Sequence, residues 1–303
     1  MDWLDLMKPV TAIIWLIVLN IVWGFSFPFM DYLLGEMSPY MLIFVRFSIS
    51  SIILIVIFYK QLLQLSKREF KLILLISIPE MFGMFFQIIG LSKSNSTNTA
   101  FITSLTVVIL PIVLKVFDRH ILEKKMIFGI GLATVGISLM TIQSNMSFSN
   151  GDLIVFMGTI SFAFLYYFLG KYGNQVHTGA LTVVQFSLIS VLSGFFVLRE
   201  GNYHVATDLK AIIMFVLLIL FCTIFANMLH NKVQHNVPTA FVGIIFLLEP
   251  IAASTLAWFM GETISIRQVA GALIVIVSVF FTMEMATKDK ELMEIESYQS
   301  TFH

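Results

Sequence analysis

Three ionisable side chains stand in the middle of long apolar stretches of this sequence: Arg46, Glu80 and Glu249. A charged group at the centre of a lipid bilayer costs about 2.5–3.5 kcal/mol on insertion scales, so it usually faces the interior of a helix bundle. There a carboxylate can carry a proton or bind a cation, and a guanidinium can bind the carboxylate of a solute. Structural roles stay open, because Arg46 could pair with Glu80 or reach the membrane surface. Glu249 could equally be a hydrogen-bonded carboxylate where two helices cross.

Amide and aromatic side chains recur at helical spacing near these charges. Gln87 follows Glu80 by seven residues, which puts both on the same face of a helix. Asn20, Trp23 and Phe27 follow one face of the first apolar stretch in the same way. Aromatic stripes also serve packing alone, so the polar members carry more of the argument. We predict that a pathway for a solute or ion is lined by Asn20, Trp23, Phe27, Arg46, Glu80, Gln87, Tyr166, Gln185, Asn227 and Glu249.

The composition excludes an ordinary soluble domain. Apolar residues make up 58% of the chain and charged residues 12%, whereas soluble domains carry roughly 25% charged residues. The net charge of zero gives no reason to expect a nucleic-acid partner. Cys222 is the single cysteine, so the chain has no intrachain disulfide and no thiolate cluster for a metal. We find no nucleotide-binding or catalytic motif, and therefore expect no cofactor, no metal and no enzymatic activity. The prediction is an all-α integral membrane protein in a lipid bilayer.

Ten stretches are apolar and long enough to cross a bilayer, since a spanning helix needs about 20 mainly apolar residues. They are approximately residues 10–30, 39–59, 71–91, 97–117, 125–143, 151–171, 179–198, 210–230, 239–260 and 266–286. Lys and Arg concentrate in the segments on one side of this arrangement, and such segments lie in the cytoplasm. We therefore predict a plasma-membrane protein with both termini cytoplasmic and a polar cytoplasmic tail at residues 288–303.

The chain also contains an internal repeat. Residues 98–123 resemble residues 238–262, and Pro111 with Glu123 corresponds to Pro250 with Glu262 at a constant offset. This predicts two halves, residues 1–145 and 146–287, with five helices each. Because five is odd, equivalent helices run antiparallel, which is the inverted repeat of many secondary transporters. Such repeats place a substrate site near the middle of the membrane and open it to the two sides in turn.

The residues that carry a family resemblance lie along nearly the whole chain. They are Asn20, Trp23, Gly24 and Phe27; Ser38, Pro39, Arg46 and Phe47; Asn98 to Phe101 with Pro111 and Glu123; and Leu248, Glu249 and Pro250 with Gly261 and Glu262. With these residues the chain resembles the ten-helix, EamA-type permeases of the drug/metabolite transporter (DMT) superfamily. One departure is visible, because Gln185 stands in the second half where Arg46 stands in the first.

The resemblance implies both a fold and a function. It implies two four-helix bundles around a central cavity, a helix break at Glu249, and a fifth and tenth helix behind them as struts or as the contacts of a homodimer. It also implies a secondary transporter that moves a small organic metabolite or drug-like solute, with export favoured. The drive would be a proton or the solute's own gradient. The Gln185 departure implies a chemically asymmetric cavity.

Other functions are weaker alternatives. A membrane-embedded enzyme acting on lipids would need histidines and aspartates clustered at one membrane face, and the six histidines form no such cluster in the sequence. We expect His230 near the inner membrane boundary, where solvent would reach it. An uptake permease of the same fold stays open. A receptor or scaffold is disfavoured, because an inverted repeat serves access from two sides.

Overall fold

The protein is a bundle of helices, and the computed structural model describes residues 9–94, 96–119, 123–141, 149–259 and 264–282. No β-strand occurs in those ranges, which confirms the predicted helical class. The helices are α1 Pro9–Glu36, α2 Pro39–Leu63, α3 Lys67–Leu91, α4 Ser96–Ser104, α5 Thr106–Asp118, α6 Lys124–Thr141, α7 Asn150–Tyr172, α8 Thr178–Glu200, α9 Leu209–Leu217, α10 Ala226–Val233, α11 Thr239–Ile245, α12 Leu248–Phe259 and α13 Ile266–Thr282.

Eight helical stretches in the described residues are long and apolar enough to cross a membrane. They are Val10–Glu36, Pro39–Leu63, Lys67–Leu91, Asn98–Asp118, Asn150–Gln175, Thr178–Glu200, Leu209–Asn236 and Thr239–Leu256. The remaining two predicted spans correspond to α6 and to the shorter apolar helix α13, so the count of ten stays a prediction. The multi-pass membrane class is confirmed. The predicted tail, residues 288–303, and the boundary between residues 145 and 146 lie outside the described residues.

Two of the spans are broken in the middle. One breaks at Leu105, between α4 and α5, and the other breaks between α11 and α12. In the second break the Glu249 backbone N–H donates to the Phe246 carbonyl at 3.2 Å, which closes a tight turn. Pro250 then falls in the first turn of α12, where its missing N–H leaves no helical bond unmade. The break therefore places Glu249 at the start of a helix.

The span from Leu209 to Asn236 is irregular in a different way. Between α9 and α10, residues Leu218–Phe225 form a π-helix, which is wider than an α-helix. The Thr223 hydroxyl donates to the carbonyl of Leu218, five residues earlier, at 2.7 Å. Such segments are rare and frequent at functional sites, because they redirect side chains and carbonyls.

Glycines bring two pairs of helices into backbone contact. On α3 and α7, a Cβ added to Gly90 would collide with Val155 and with the Gly151 carbonyl. On α6 and α13, Gly136 and Gly271 face each other in the same way. Close approach through small residues is how helices associate in membranes. The small residues of α6 and α13 thus serve a contact within one chain, and a homodimer through these helices stays a prediction.

Helices α2 and α8 are joined by a reciprocal pair of serine contacts. The Ser48 and Ser190 hydroxyls lie 2.6 Å apart, and the Ser51 and Ser187 hydroxyls lie 2.7 Å apart. The residue number rises along α2 as it falls along α8, so the two helices are antiparallel. This contact joins the first half of the chain to the second.

The close contact between α3 and α7 at Gly90 can be tested by substitution. Gly90→Ala should destabilise the protein by about 1–3 kcal/mol, the usual cost of overpacking, because its Cβ meets backbone atoms of α7. The matched control is Gly131→Ala, where no atom lies within 4 Å of the added Cβ. Thermal unfolding of the purified variants should show a lower melting temperature for Gly90→Ala only. Equal melting temperatures would contradict the close contact.

Candidate functional site

One cavity lies between the helices and draws its wall from both halves of the chain. Helices α1, α2, α3 and α4 contribute from the first half, and α7, α10 and α12 from the second. The lining residues are Trp23, Ser26, Met30, Arg46, Glu80, Met84, Gln87, Thr103, Phe162, Leu165, Tyr166, Asn227, His230 and Glu249. All three charged residues singled out in the sequence are therefore in one place.

Most of the predicted pathway residues line this cavity, and three do not. Asn20, Phe27 and Gln185 are buried within the protein away from the cavity wall. The Asn20 side chain turns back on its own helix and donates to the Leu16 carbonyl at 2.6 Å. Gln185 accepts a hydrogen bond from Asn231 at 2.5 Å. These contacts satisfy one end of each amide, whereas Asn20 Oδ1 and Gln185 Nε2 are buried without a partner among the described residues. A solute contact for the residues in the cavity stays a prediction.

Neutral groups hold the Arg46 guanidinium. Its Nε donates to the Thr223 hydroxyl at 2.6 Å, and its Nη1 lies 3.2 Å from the Met30 sulfur. The Phe47 ring lies below it, with the centroid 5.0 Å from Cζ. Because the Thr223 proton goes to Leu218 in the π-helix, the hydroxyl oxygen is left to accept from Arg46.

The structure does not show the ion pair that the sequence allowed between Arg46 and Glu80. Among the described residues, the structure shows an ion pair between Lys171 and Asp118, at one end of the bundle. Arg46 is only 2% exposed, so it does not reach the membrane surface either. Arg46 therefore makes no direct ion pair with Glu80, although the two charges interact across the cavity. The π-helix brings Thr223 to the guanidinium instead.

The two carboxylates in the cavity lack protein donors. No described residue donates a hydrogen bond to the Glu80 or the Glu249 side chain. An unpaired ionised carboxylate in a low-dielectric interior costs several kcal/mol. Glu249 gains some compensation, since the N-terminus of a helix favours negative charge and the residue lies in the first turn of α12. Both side chains are therefore available to a proton or to a cationic group.

The two amides in the cavity present their oxygens. Gln87 Nε2 donates to the Thr103 hydroxyl at 3.1 Å, and Asn227 Nδ2 donates to the Thr223 carbonyl at 3.0 Å. The oxygens of Gln87 and Asn227 do not belong to the set of fully buried side-chain atoms that lack a hydrogen-bond partner. The nitrogens are thus committed to the protein, and the oxygens remain for whatever occupies the cavity.

Four rings pack edge to face at one side of the cavity. His230 lies 5.2 Å from the ring of Trp23 and 5.4 Å from that of Tyr166, and Phe246 lies 4.6 Å from Tyr166. Trp23 is fixed by its Nε1, which donates at 3.1 Å to the carbonyl of Cys222 in the π-helix. His230 is 1% exposed and its Nε2 has no partner in the described structure. The expectation that solvent reaches His230 is therefore wrong.

Sequence reasoning missed part of the α1 wall. The observed stripe is Trp23, Ser26 and Met30, whereas the predicted one ran through Asn20, Trp23 and Phe27. Both stripes fit helical spacing, and α1 is apolar on every side, so only its neighbours decide which stripe faces the cavity. The spacing of Trp23, Ser26 and Met30 was the available signal. No group of three or more metal-ligating side chains occurs among the residues described by the structure.

A multi-pass helical bundle with broken spans and a buried polar cavity between its halves is the architecture of a membrane transporter. The comparison with known families agrees. The chain belongs to the EamA-like transporter family, whose model matches residues 10–142 and again residues 149–283. The family resemblance seen in the sequence is thus confirmed.

Similar proteins are described in equally general terms. An uncharacterized transporter of Archaeoglobus fulgidus is 26% identical over 274 residues, covering 90% of this chain and 85% of that protein. The uncharacterized transporter YyaM of Bacillus subtilis is 26% identical over 291 residues, covering 90% of this chain and 93% of that protein. A crystal structure of a protein with 11% identity superposes with a TM-score of 0.78 over 93% of this chain and 99% of that one, which supports the fold alone.

The contact between Arg46 and Thr223 can be tested with a matched pair of variants. Thr223→Val keeps the shape of the side chain but removes the acceptor from a buried guanidinium, and should cost about 1.5–3 kcal/mol of stability. Thr223→Ser keeps the hydroxyl and is the control. The melting temperature of the purified protein should fall clearly in the valine variant and little in the serine variant. An equal fall in both would show that the hydroxyl does not hold Arg46.

Proposed function

We propose that the protein is a secondary transporter that carries a small organic solute across the plasma membrane by alternating access, with export as the favoured direction. The observation that carries the proposal is the cavity itself, because residues of both halves meet there around one guanidinium and two carboxylates without protein donors. Burying such groups is costly, and a solute that enters and leaves would explain why they are kept.

An inverted repeat of two five-helix halves, with ten spans in all, is part of this proposal. The family model matches once in each half, with α6 and α13 as the fifth and tenth spans. Ser48 and Ser51 are offset by the repeat length from Ser187 and Ser190. Ser48 contacts Ser190, the counterpart of Ser51, and Ser51 contacts Ser187, the counterpart of Ser48. Both contacts cross between the antiparallel helices α2 and α8. A two-fold axis in the plane of the membrane produces such reciprocal contacts.

Contacts between the halves at both ends of the bundle support alternating access. At one end the Glu69 carboxylate accepts from the His177 backbone N–H at 2.8 Å. At the other end Asp152 accepts from Ser94 and, at 3.4 Å, from Asn98. A transporter of this class must break the contacts at one end while keeping those at the other, so these polar contacts are suitable gates.

The orientation can be tested with single cysteines. In a Cys222→Ser background, Gln64→Cys and His204→Cys place a thiol in two exposed connections at opposite ends of the bundle. With both termini cytoplasmic, a membrane-impermeant maleimide should label residue 204 in intact cells and residue 64 only after the membrane is opened. Labelling of both from the same side would contradict the inverted halves.

Proton coupling can be tested on Glu80. A thermal-shift screen of a metabolite library first supplies a transported solute, since a ligand raises stability by mass action. In proteoliposomes, Glu80→Gln should abolish transport driven by a pH gradient, because glutamine cannot bind and release a proton. Glu200→Gln, at an exposed helix end, is the control and should transport normally. Unchanged pH-driven transport in Glu80→Gln would assign Glu80 to another role.

A further inference from the structure

The hydrogen-bonding groups that the cavity leaves unused are mostly acceptors. Gln87 and Asn227 have committed their amide nitrogens to protein groups and present their oxygens. Ionised Glu80 and Glu249 can only accept, and no described residue donates to them. An occupant that completes these bonds must therefore bring several donors.

The two carboxyl groups in the cavity can balance the charge of a bound cation. Among the lining residues that the structure describes, Arg46 is the one with a permanently cationic side chain, against the carboxylates of Glu80 and Glu249. Two of the Arg46 nitrogens are already engaged by Thr223 and Met30. A cation placed between Glu80 and Glu249 favours the ionised form of both side chains, so that the charges of Arg46 and the ligand balance two carboxylates.

The aromatic rings add a face for a flat, apolar or cationic group. Phe162 and Tyr166 lie parallel to within 10°, with centroids 6.2 Å apart, and both line the cavity with Trp23. Aromatic faces attract cations placed within about 6 Å of the ring centroid. They also cover flat apolar groups, so the wall suits a positively charged head on an aryl or alkyl body.

We propose that the cavity binds a small protonated primary or secondary amine with a flat apolar body. The ammonium N–H groups donate to Glu80, Glu249 and the two amide oxygens, and the body lies against Trp23, Phe162 and Tyr166. The inference deepens the proposed function, on which it rests for the claim that the bound solute is also carried.

A zwitterion such as an amino acid is the main competitor, because its carboxylate could take the remaining N–H groups of Arg46. The protein already surrounds that guanidinium with an oxygen, a sulfur and an aromatic face. A carboxylate added to the cavity would also lie among side chains that present acceptors, which cannot donate to it. The amine needs only the acceptors that the protein leaves open at Glu80, Glu249 and the two amides, and so it is the ligand that the site favours.

The test uses four probes with the same phenyl body and different heads: 2-phenylethylamine, 2-phenylethanol, 3-phenylpropanoate and phenylalanine. Binding to the purified full-length wild-type protein is measured by isothermal titration calorimetry. The amine should bind at least about tenfold more tightly than each of the others, since one charge-assisted hydrogen bond is worth that much. Equal or tighter binding of the propanoate, the alcohol or phenylalanine would overturn the proposal, and so would failure of the amine to bind.

Two variants locate the binding. Glu249→Gln and Glu80→Gln should each weaken the amine about tenfold or more and leave 2-phenylethanol unchanged. Glu200→Gln, an exposed carboxylate outside the cavity, should change neither. Undiminished amine binding in both cavity variants would overturn the assignment. The comparison of probes on the wild-type protein stands even where a variant does not fold.

A transport assay on the same probes separates this inference from the proposed function. An amine that binds in the cavity but is never exchanged across proteoliposomes would contradict transport and leave the binding site standing. Exchange of a neutral or anionic probe, without amine binding, would contradict the amine site and leave transport standing.

Discussion

A guanidinium buried in a membrane protein must find its hydrogen-bond partners inside the protein, and here a distortion of the neighbouring span provides one. The π-helix at residues 218–225 directs the Thr223 oxygen toward Arg46 and the Cys222 carbonyl toward Trp23. In lipid no water is available to replace such partners. The π-helix therefore fixes one cation of the cavity, Arg46, and one aromatic ring, Trp23. The contacts among α1, α2 and the span from 209 to 236 depend on it.

The two halves of the chain use equivalent positions for different chemistry. Arg46 lies in the cavity wall, whereas Gln185, at the corresponding place in the second half, lies in a neutral network with Asn231 and Thr182. The asymmetry implied by that single departure in the sequence is present in the structure. The two-fold arrangement of helices that we propose is thus compatible with a cavity whose charge comes from only a few positions.

The sequence predicted the general class well, because apolar length and the spacing of charges are local properties. Glu80 and Gln87 share a face at a separation of seven, and both line the cavity as that spacing requires. The faces of α1 could not be predicted, since an all-round apolar helix gives no sign of which side meets water or a cavity. The π-helix is equally hidden, because residues 218–225 contain no glycine or proline to mark it. The burial of His230 could not be predicted, because it depends on neighbouring rings that are distant in sequence.

The reciprocal serine pair has a consequence for how the halves can diverge during evolution. Ser48 and Ser51 each depend on a partner that occupies the other's duplicated position. Under the proposed repeat, a mutation at any one of these four sites removes the partner of a hydroxyl in the other half, so the four positions are coupled. Arg46 and Gln185 share no such bond in the described structure, so under the proposed repeat a change at one of these positions leaves the other's partners in place.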